Sequence, residues 1–112
     1  MGKPNVRYAN GNERRKLRLW LKAQGRPCWI CRALGRDGTI DYSLPAGHPL
    51  SFEVDELVPV SLGGDPLDRQ NVEAAHRACN QWRGNKTVAQ VMATARGSAP
   101  SRMAEGATSR EW

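Results

Sequence analysis

The sequence predicts a small α+β domain whose fold depends on a bound metal ion. The chain has 112 residues, of which 39% are hydrophobic and 6% aromatic. A domain with so small a hydrophobic core usually needs a disulfide, a metal or an oligomer to stabilise it. Each cysteine is separated by two residues from another cysteine or from a histidine, which favours the metal. A β-type run and several segments of helical periodicity indicate the α+β class.

The first predicted element is a basic helix from Asn12 to about Gln24. Asn12 is a favourable N-cap, and Gly25 is the usual residue just beyond a helix end. Leucines and a tryptophan share one face of this helix, and most of its arginines and lysines share the other. Residues 1–11 contain several helix breakers, and we expect them to form a flexible basic arm.

Glycines and prolines separate the elements that follow. Pro27 interrupts the chain, and Cys28-Trp-Ile-Cys31 comes next as a metal knuckle. Residues 33–50 have little periodicity and are predicted to be a loop. Ser51–Val60 is rich in Val, Leu and Phe, which predicts a strand with a bend or an edge position at Pro59.

The C-terminal part of the chain predicts two helical pieces and a tail. The first piece runs from about Ala75 to Gly84, and the second runs from about Thr87 to Ala95 with apolar residues at helical spacing. Residues 96–112 are small, polar and rich in turn formers, so that we expect a disordered tail. The folded domain is therefore predicted to span residues 12–95.

Two short pairs supply a predicted structural zinc site. Cys28-x-x-Cys31 and His76-x-x-Cys79 together offer three thiolates and one imidazole, which is a complete tetrahedral set for Zn²⁺. The ion would close a gap of 44 residues between the two pairs and so supply folding energy that a thin core lacks. The alternative is that these are unrelated free thiols and a surface histidine.

The same composition sets expectations about the compartment. An odd number of cysteines without an apolar leader in the first residues favours reduced thiols and a cytoplasmic location. No apolar run approaches the roughly 20 residues that cross a bilayer, so we expect no membrane partner.

The distribution of charge indicates a nucleic-acid partner and a cation. The chain carries a formal net charge of +6. Residues 1–36 hold ten basic side chains and one acidic one, whereas residues 37–75 hold eight acidic side chains and one basic one. A basic segment attracts a polyanion, and an acidic segment beside it would repel phosphate unless a cation were bound there. This pairing suits a metal-dependent nuclease, although charge alone leaves a plain solvated surface equally open.

Phosphate contacts are predicted for basic residues of the first helix, and for two more at the end of the helical piece Ala75–Gly84 and just beyond it. They are Arg14, Arg15, Arg18, Lys22, Arg83 and Lys86. Such contacts give affinity without sequence choice, and the chain has no dedicated base-reading motif. We therefore expect DNA binding with weak sequence preference and strong salt dependence, although the charges of Arg83 and Lys86 could equally have no specific role.

The central part of the chain resembles the small, phage-type, zinc-containing HNH endonucleases. The resemblance spans residues 28–86, about half of the chain, and it depends on the order of several motifs. They are Cys28-x-x-Cys31, FEVDELVPVSLGG at 52–64, Asn71-Val72 and HRACNQWRGNK at 76–86. The resemblance implies a ββα-metal fold, in which a β-hairpin and a helix hold one catalytic divalent cation beside the zinc knuckle.

The resemblance also implies a role for each site residue. Asp55 corresponds to the metal-binding carboxylate of the first strand, and Asn80 corresponds to the second metal ligand on the helix. Asn71 corresponds to the residue that orients the general base. Oxygen ligands of this kind suit Mg²⁺ or Mn²⁺.

One position departs from the family pattern. Glu56 stands where the general base is usually histidine. A glutamate has a reference pKa of about 4.3 against about 6.5 for histidine, so it is ionised at neutral pH but is a weaker base. Strand alternation would also send Asp55 and Glu56 to opposite faces, and they can share a site only where the strand ends or bends.

These observations lead to an expected function. We expect a metal-dependent DNA endonuclease that nicks or cleaves double-stranded DNA, with a structural Zn²⁺ and a catalytic Mg²⁺ or Mn²⁺. The resemblance adds a phage DNA-packaging context, in which terminase subunits are the partners. The alternatives are a zinc-stabilised DNA-binding module with little or no catalysis, and a packaging adaptor.

Overall fold

A computed structural model describes residues 3–97, with side chains from residue 11 onward. Besides two short 3₁₀ helices (Val60–Leu62 and Arg69–Asn71), four α-helices and two strands follow one another along this part of the chain. They are α1 (Lys3–Gln24), α2 (Trp29–Ala33), β1 (Phe52–Glu56), β2 (Val72–His76), α3 (Arg77–Arg83) and α4 (Val88–Ala95). The predicted α+β class is confirmed at this level. Residues 98–112, most of the predicted tail, lie outside the described residues, as do residues 1 and 2.

The helix α1 is longer than its sequence predicts. It begins at Lys3, so that the backbone is helical through the segment expected to be an arm and Asn12 is not its N-cap. Pro4 lies in the first turn, where a proline is tolerated because the N–H it lacks has no intrahelical acceptor. Leu17 and Leu21 are one turn apart and are buried, which fixes the C-terminal half of the helix against the hairpin.

The two strands form an antiparallel hairpin that organises the rest of the fold. Phe52 pairs with His76 at one end, and Glu56 pairs with Val72 at the other. The strand β1 is shorter than the predicted run Ser51–Val60 and ends at Glu56. Pro59, which cannot donate to a ladder, lies three residues beyond that end, where the chain turns away.

The strand β2 replaces the start of a predicted helix. The residues from Ala75 were expected to be helical, but β2 continues to His76 and α3 begins at Arg77. Ala74 and Ala75 are fully buried, and the pairing with β1 determines their strand conformation in spite of the low β propensity of alanine. By contrast, α4 matches its prediction, with Thr87 as N-cap in a capping box with Gln90.

The core lies where the helices cover the hairpin. Its fully buried side chains come from most of these elements and include Leu21, Ile30, Val72 and Val91. Within residues 3–97, no helix is both long enough and apolar enough to cross a membrane.

Candidate metal centre and adjoining cleft

The three cysteines and His76 converge as the sequence predicts. Their ligand atoms all lie within 4.8 Å of one another. The Sγ atoms of Cys31 and Cys79 are 3.6 Å apart, and His76 Nδ1 lies 3.5 Å from the first and 3.8 Å from the second. Zinc with ordinary bond lengths forms a tetrahedron with edges of about 3.8 Å between sulfurs and about 3.6 Å from sulfur to nitrogen. The cluster therefore has the dimensions of a structural zinc site.

Local structure fixes the direction of each ligand. Cys28 caps α2, and its Sγ accepts a hydrogen bond from the backbone N–H of Cys31 at 3.4 Å. His76 is the last residue of β2, and Cys79 lies in the first turn of α3. The Nε2 of His76 lies 3.1 Å from the carbonyl oxygen of Thr39, so that this nitrogen donates to the carbonyl and Nδ1 is the nitrogen that faces the cysteines.

The thiols differ in acidity because they lie so close together. A hydrogen bond from Cys79, with further bonds from the backbone of Cys31 and His76, lowers the pKa of Cys28 to about 4. Burial raises the pKa of Cys31, and the hydrogen bond to Cys28 raises that of Cys79. Cys28 is therefore the most acidic of the three thiols, and the thiolate is the form in which cysteine binds zinc.

A cleft of about 420 Å³ opens at the end of β1. Asp55, Glu56 and Asn80 all line it, together with Lys86 and the first residues of α4. Adjacent residues of a strand face opposite ways, but β1 ends at Glu56, and both carboxylates can border one cleft there. The structure thus brings the predicted site residues of β1 and α3 to one place.

Asp55 is tied to both neighbouring helices. It is 6% exposed, and its Oδ2 accepts hydrogen bonds of 2.7 Å from Trp29 Nε1 and from Arg83 Nη1. Neither bond uses Oδ1. Trp29 follows Cys28 directly in the metal knuckle, so that the carboxylate is positioned from the metal centre on one side and from α3 on the other.

Asn80 takes a different partner on β1. Its Nδ2 donates to Oε1 of Glu53 at 3.0 Å, while Arg83, one helical turn further, meets Asp55. The helix α3 therefore runs along the strand, with residue 80 beside residue 53 and residue 83 beside residue 55. Asp55 and Asn80 share the cleft, but each is held by a different partner.

Arg83 does not fit the DNA contact predicted for it. The residue is 3% exposed, and its guanidinium donates to Asp55 Oδ2 and to the carbonyl oxygens of Glu56, Leu57 and Lys86. A side chain with these bonds connects β1 to the turn before α4 and is not available to phosphate. Lys86 remains at the cleft, where its Nζ donates to the carbonyl oxygen of Trp82.

Asn71 supports the loop after β1 through hydrogen bonds of its side chain to the backbone. Its Oδ1 accepts from the backbone N–H of Val58 at 2.9 Å. Its Nδ2 donates to the carbonyl oxygens of Val58 and Asp65. Asn71 thus fixes the chain two residues beyond Glu56, so that any effect on this residue passes through the backbone.

Gly64 is required by the same loop. A Cβ at this position would come within 1.7 Å of the carbonyl oxygen of Val58 and 3.0 Å of Asn71 Nδ2. Its neighbour Gly63 has a φ of 93°, a conformation that glycine adopts without strain.

Replacing Gly64 with alanine is therefore expected to disrupt this loop and to destabilise the domain by about 1–3 kcal/mol. Urea unfolding measures the change. Gly11→Ala, in the open surroundings of α1, is the matched control and should keep or slightly raise stability. Equal stability of the Gly64→Ala variant and the parent protein would contradict this description of the loop.

The predicted basic residues of α1 are exposed. Arg14, Arg15, Arg18 and Lys22 all face solvent, and the Arg18 guanidinium carbon lies 5.0 Å above the centre of the Phe52 ring.

Comparison of the chain with protein-family models, with curated proteins and with solved structures found no match.

Proposed function

We propose that this protein is a metal-dependent DNA endonuclease of the HNH type. The observation that carries the proposal is the cleft at the end of β1, which Asp55, Glu56 and Asn80 all line. The order of a β-hairpin followed directly by a helix supports it, because the resemblance implies the same order of elements. The excess of basic residues supports DNA as the substrate.

The donor set of the cleft fits a hard divalent cation such as Mg²⁺ or Mn²⁺. Asp55 retains Oδ1 for a ligand, because its two hydrogen bonds both end on Oδ2. The bond from Asn80 Nδ2 to Glu53 leaves the amide oxygen of Asn80 for the cation. When bound there, such a cation would stabilise the charge that develops on the phosphate and the leaving oxygen.

We assign the role of general base to Glu56. It is partly exposed and lines the cleft, so that a water molecule can approach it. Its carboxylate accepts the proton of the attacking water. Lys86, at the other side of the cleft, supplies a positive charge for the phosphate. Asn71 and Arg83 are positioning residues, because Arg83 binds the carbonyl oxygens of Glu56 and Leu57 and Asn71 binds the backbone of Val58.

One observation favours a second function, a zinc-stabilised DNA-binding module or packaging adaptor without turnover. The Arg83 guanidinium lies 2.7 Å from Asp55, and this positive charge opposes a cation on the same carboxylate. The terminase partner and the phage context rest on the resemblance alone and belong to both proposals.

Nicking of a supercoiled plasmid with Mg²⁺ or Mn²⁺ separates the two functions. We expect nicking by the parent protein, its loss in Asp55→Asn and Asn80→Ala, and a loss of about 100-fold or more in Glu56→Gln. Two matched controls should retain activity. Glu73→Gln removes the carboxylate opposite Asp55 on β2, and Gln81→Ala changes the exposed neighbour of Asn80 on α3.

The result that would overturn the endonuclease proposal is DNA binding by zinc-loaded protein without nicking under any divalent cation or pH. Nicking that survives in folded Asp55→Asn protein would equally rule out the assigned site. The zinc content and melting temperature of each variant show that it is folded.

A further inference from the structure

A second groove lies beside the candidate catalytic cleft and has a different chemical character. Its volume is about 430 Å³, and it runs between α1 and β1. Arg14 and Arg18 of α1 form one wall, Arg77 of α3 lies opposite, and β1 contributes Phe52, Glu53 and Glu56. The sequence predicts phosphate contacts for Arg14, Arg15, Arg18 and Lys22 alike, and it does not indicate that only the first and third of these line a groove.

The structure divides the basic residues of α1 into two groups. Arg14 and Arg18 are one helical turn apart and line the groove, whereas Arg15 and Lys22 are exposed on the same helix but lie outside its lining. Arg18 is also held in place, since its guanidinium stacks 5.0 Å above the Phe52 ring. A positioned arginine loses less entropy on binding an oxyanion than a free one does.

The balance of charge in the groove suits a phosphodiester. Three arginines face two glutamates, and one of these glutamates, Glu53, is already paired with Arg77 at 3.3 Å. Ser51 also lines the groove and is 2% exposed, and its Oγ has no hydrogen-bond partner among the described residues. A phosphate oxygen or a water that bridges to it would satisfy this hydroxyl.

The groove and the cleft meet on β1. Val54 and Glu56 line both the groove and the cleft. A nucleic-acid strand that lies in the groove therefore passes Glu56 where it enters the cleft. We propose that the groove between α1 and β1 binds the sugar–phosphate backbone of duplex DNA through Arg14 and Arg18, immediately beside the cleft. This inference rests on the proposed function only for the direction in which the DNA runs towards the cleft. The binding of DNA itself is inferred from the groove alone.

Two double variants with the same loss of charge test the inference. Arg14→Ala/Arg18→Ala and Arg15→Ala/Lys22→Ala both lower the formal net charge from +6 to +4, because each removes two positive charges. The probe is a fluorescent 20-base-pair duplex, titrated by anisotropy with zinc-loaded protein at several salt concentrations and without added Mg²⁺ or Mn²⁺. Binding is then measured independently of cleavage.

We expect the groove variant to bind at least about 10-fold more weakly, with the salt slope reduced by about 2, since each phosphate contact contributes about one unit. The control variant should change both quantities much less. Arg14→Ala alone leaves the Arg18–Phe52 stack intact, and it should reduce the slope by about 1 without a change in melting temperature.

Equal weakening by the two double variants would overturn the inference, because it would show a diffuse effect of charge. Absence of DNA binding by the parent protein would overturn it as well. Selective weakening in a protein that fails to nick DNA would support the groove while it contradicts the endonuclease proposal.

Discussion

Replacing Cys79 with serine is expected to unfold the domain or to lower its melting temperature by more than about 10 °C. A structural zinc site contributes about 10–16 kcal/mol of binding energy to folding, whereas an entire domain of this size is stable by only about 5–15 kcal/mol. The four ligands come from α2, from the end of β2 and from α3. Loss of one ligand therefore weakens the attachment of the Cys28–Cys31 segment to β2 and α3.

Thermal unfolding followed by circular dichroism measures this effect, and the chain offers a matched control. His76→Ala should match Cys79→Ser. His48→Ala removes the other histidine, which is exposed in a loop, and should leave the melting temperature within a few degrees of the parent. A Cys79→Ser variant that melts at the parent temperature would contradict the zinc assignment.

Replacing Arg83 with methionine is expected to lower the free energy of unfolding by about 3–5 kcal/mol, because the Asp55 carboxylate stays buried without the guanidinium that pairs with it. The two side chains are 4% and 8% exposed, and their charged atoms are 2.7 Å apart. The same guanidinium binds the carbonyl oxygens of Glu56 and Leu57, so that the end of β1 loses its support as well.

Urea unfolding of a double-mutant cycle isolates the ion pair. Asp55→Asn/Arg83→Met should recover part of the loss, since no buried charge remains unpaired. Lys16→Met provides the comparison, because it breaks the exposed Lys16–Glu13 pair and should cost less than about 1 kcal/mol. If Arg83→Met lowers the free energy of unfolding no more than Lys16→Met does, Arg83 does not stabilise the end of β1 as described above.

Local signals in the sequence were sufficient for several elements. The apolar residues at helical spacing after Thr87 predict α4. The two short cysteine and histidine pairs predict the metal cluster, since three thiols and an imidazole at such spacing have few other uses. Each helical segment or pair is a local signal, although 44 residues separate the two pairs and the fold must bring them together.

The remaining features depend on residues far apart in the sequence. The strand β2 contains two buried alanines, and its conformation follows from pairing with β1. The contacts of Asp55 reach 26 residues back to Trp29 and 28 residues forward to Arg83. No periodicity or spacing rule connects such positions. A residue that is exposed by its helical pattern, as Arg83 was expected to be, can therefore be buried by a tertiary partner.

X-ray absorption at the zinc edge on the purified protein, with metal analysis of the same sample, tests the proposed metal centre. We expect one zinc per chain with three sulfur ligands at about 2.3 Å and one nitrogen at about 2.0–2.1 Å. A folded protein without stoichiometric zinc, or a zinc shell made mainly of oxygen, would contradict the metal centre on which the cleft, the groove and the proposed activity all depend.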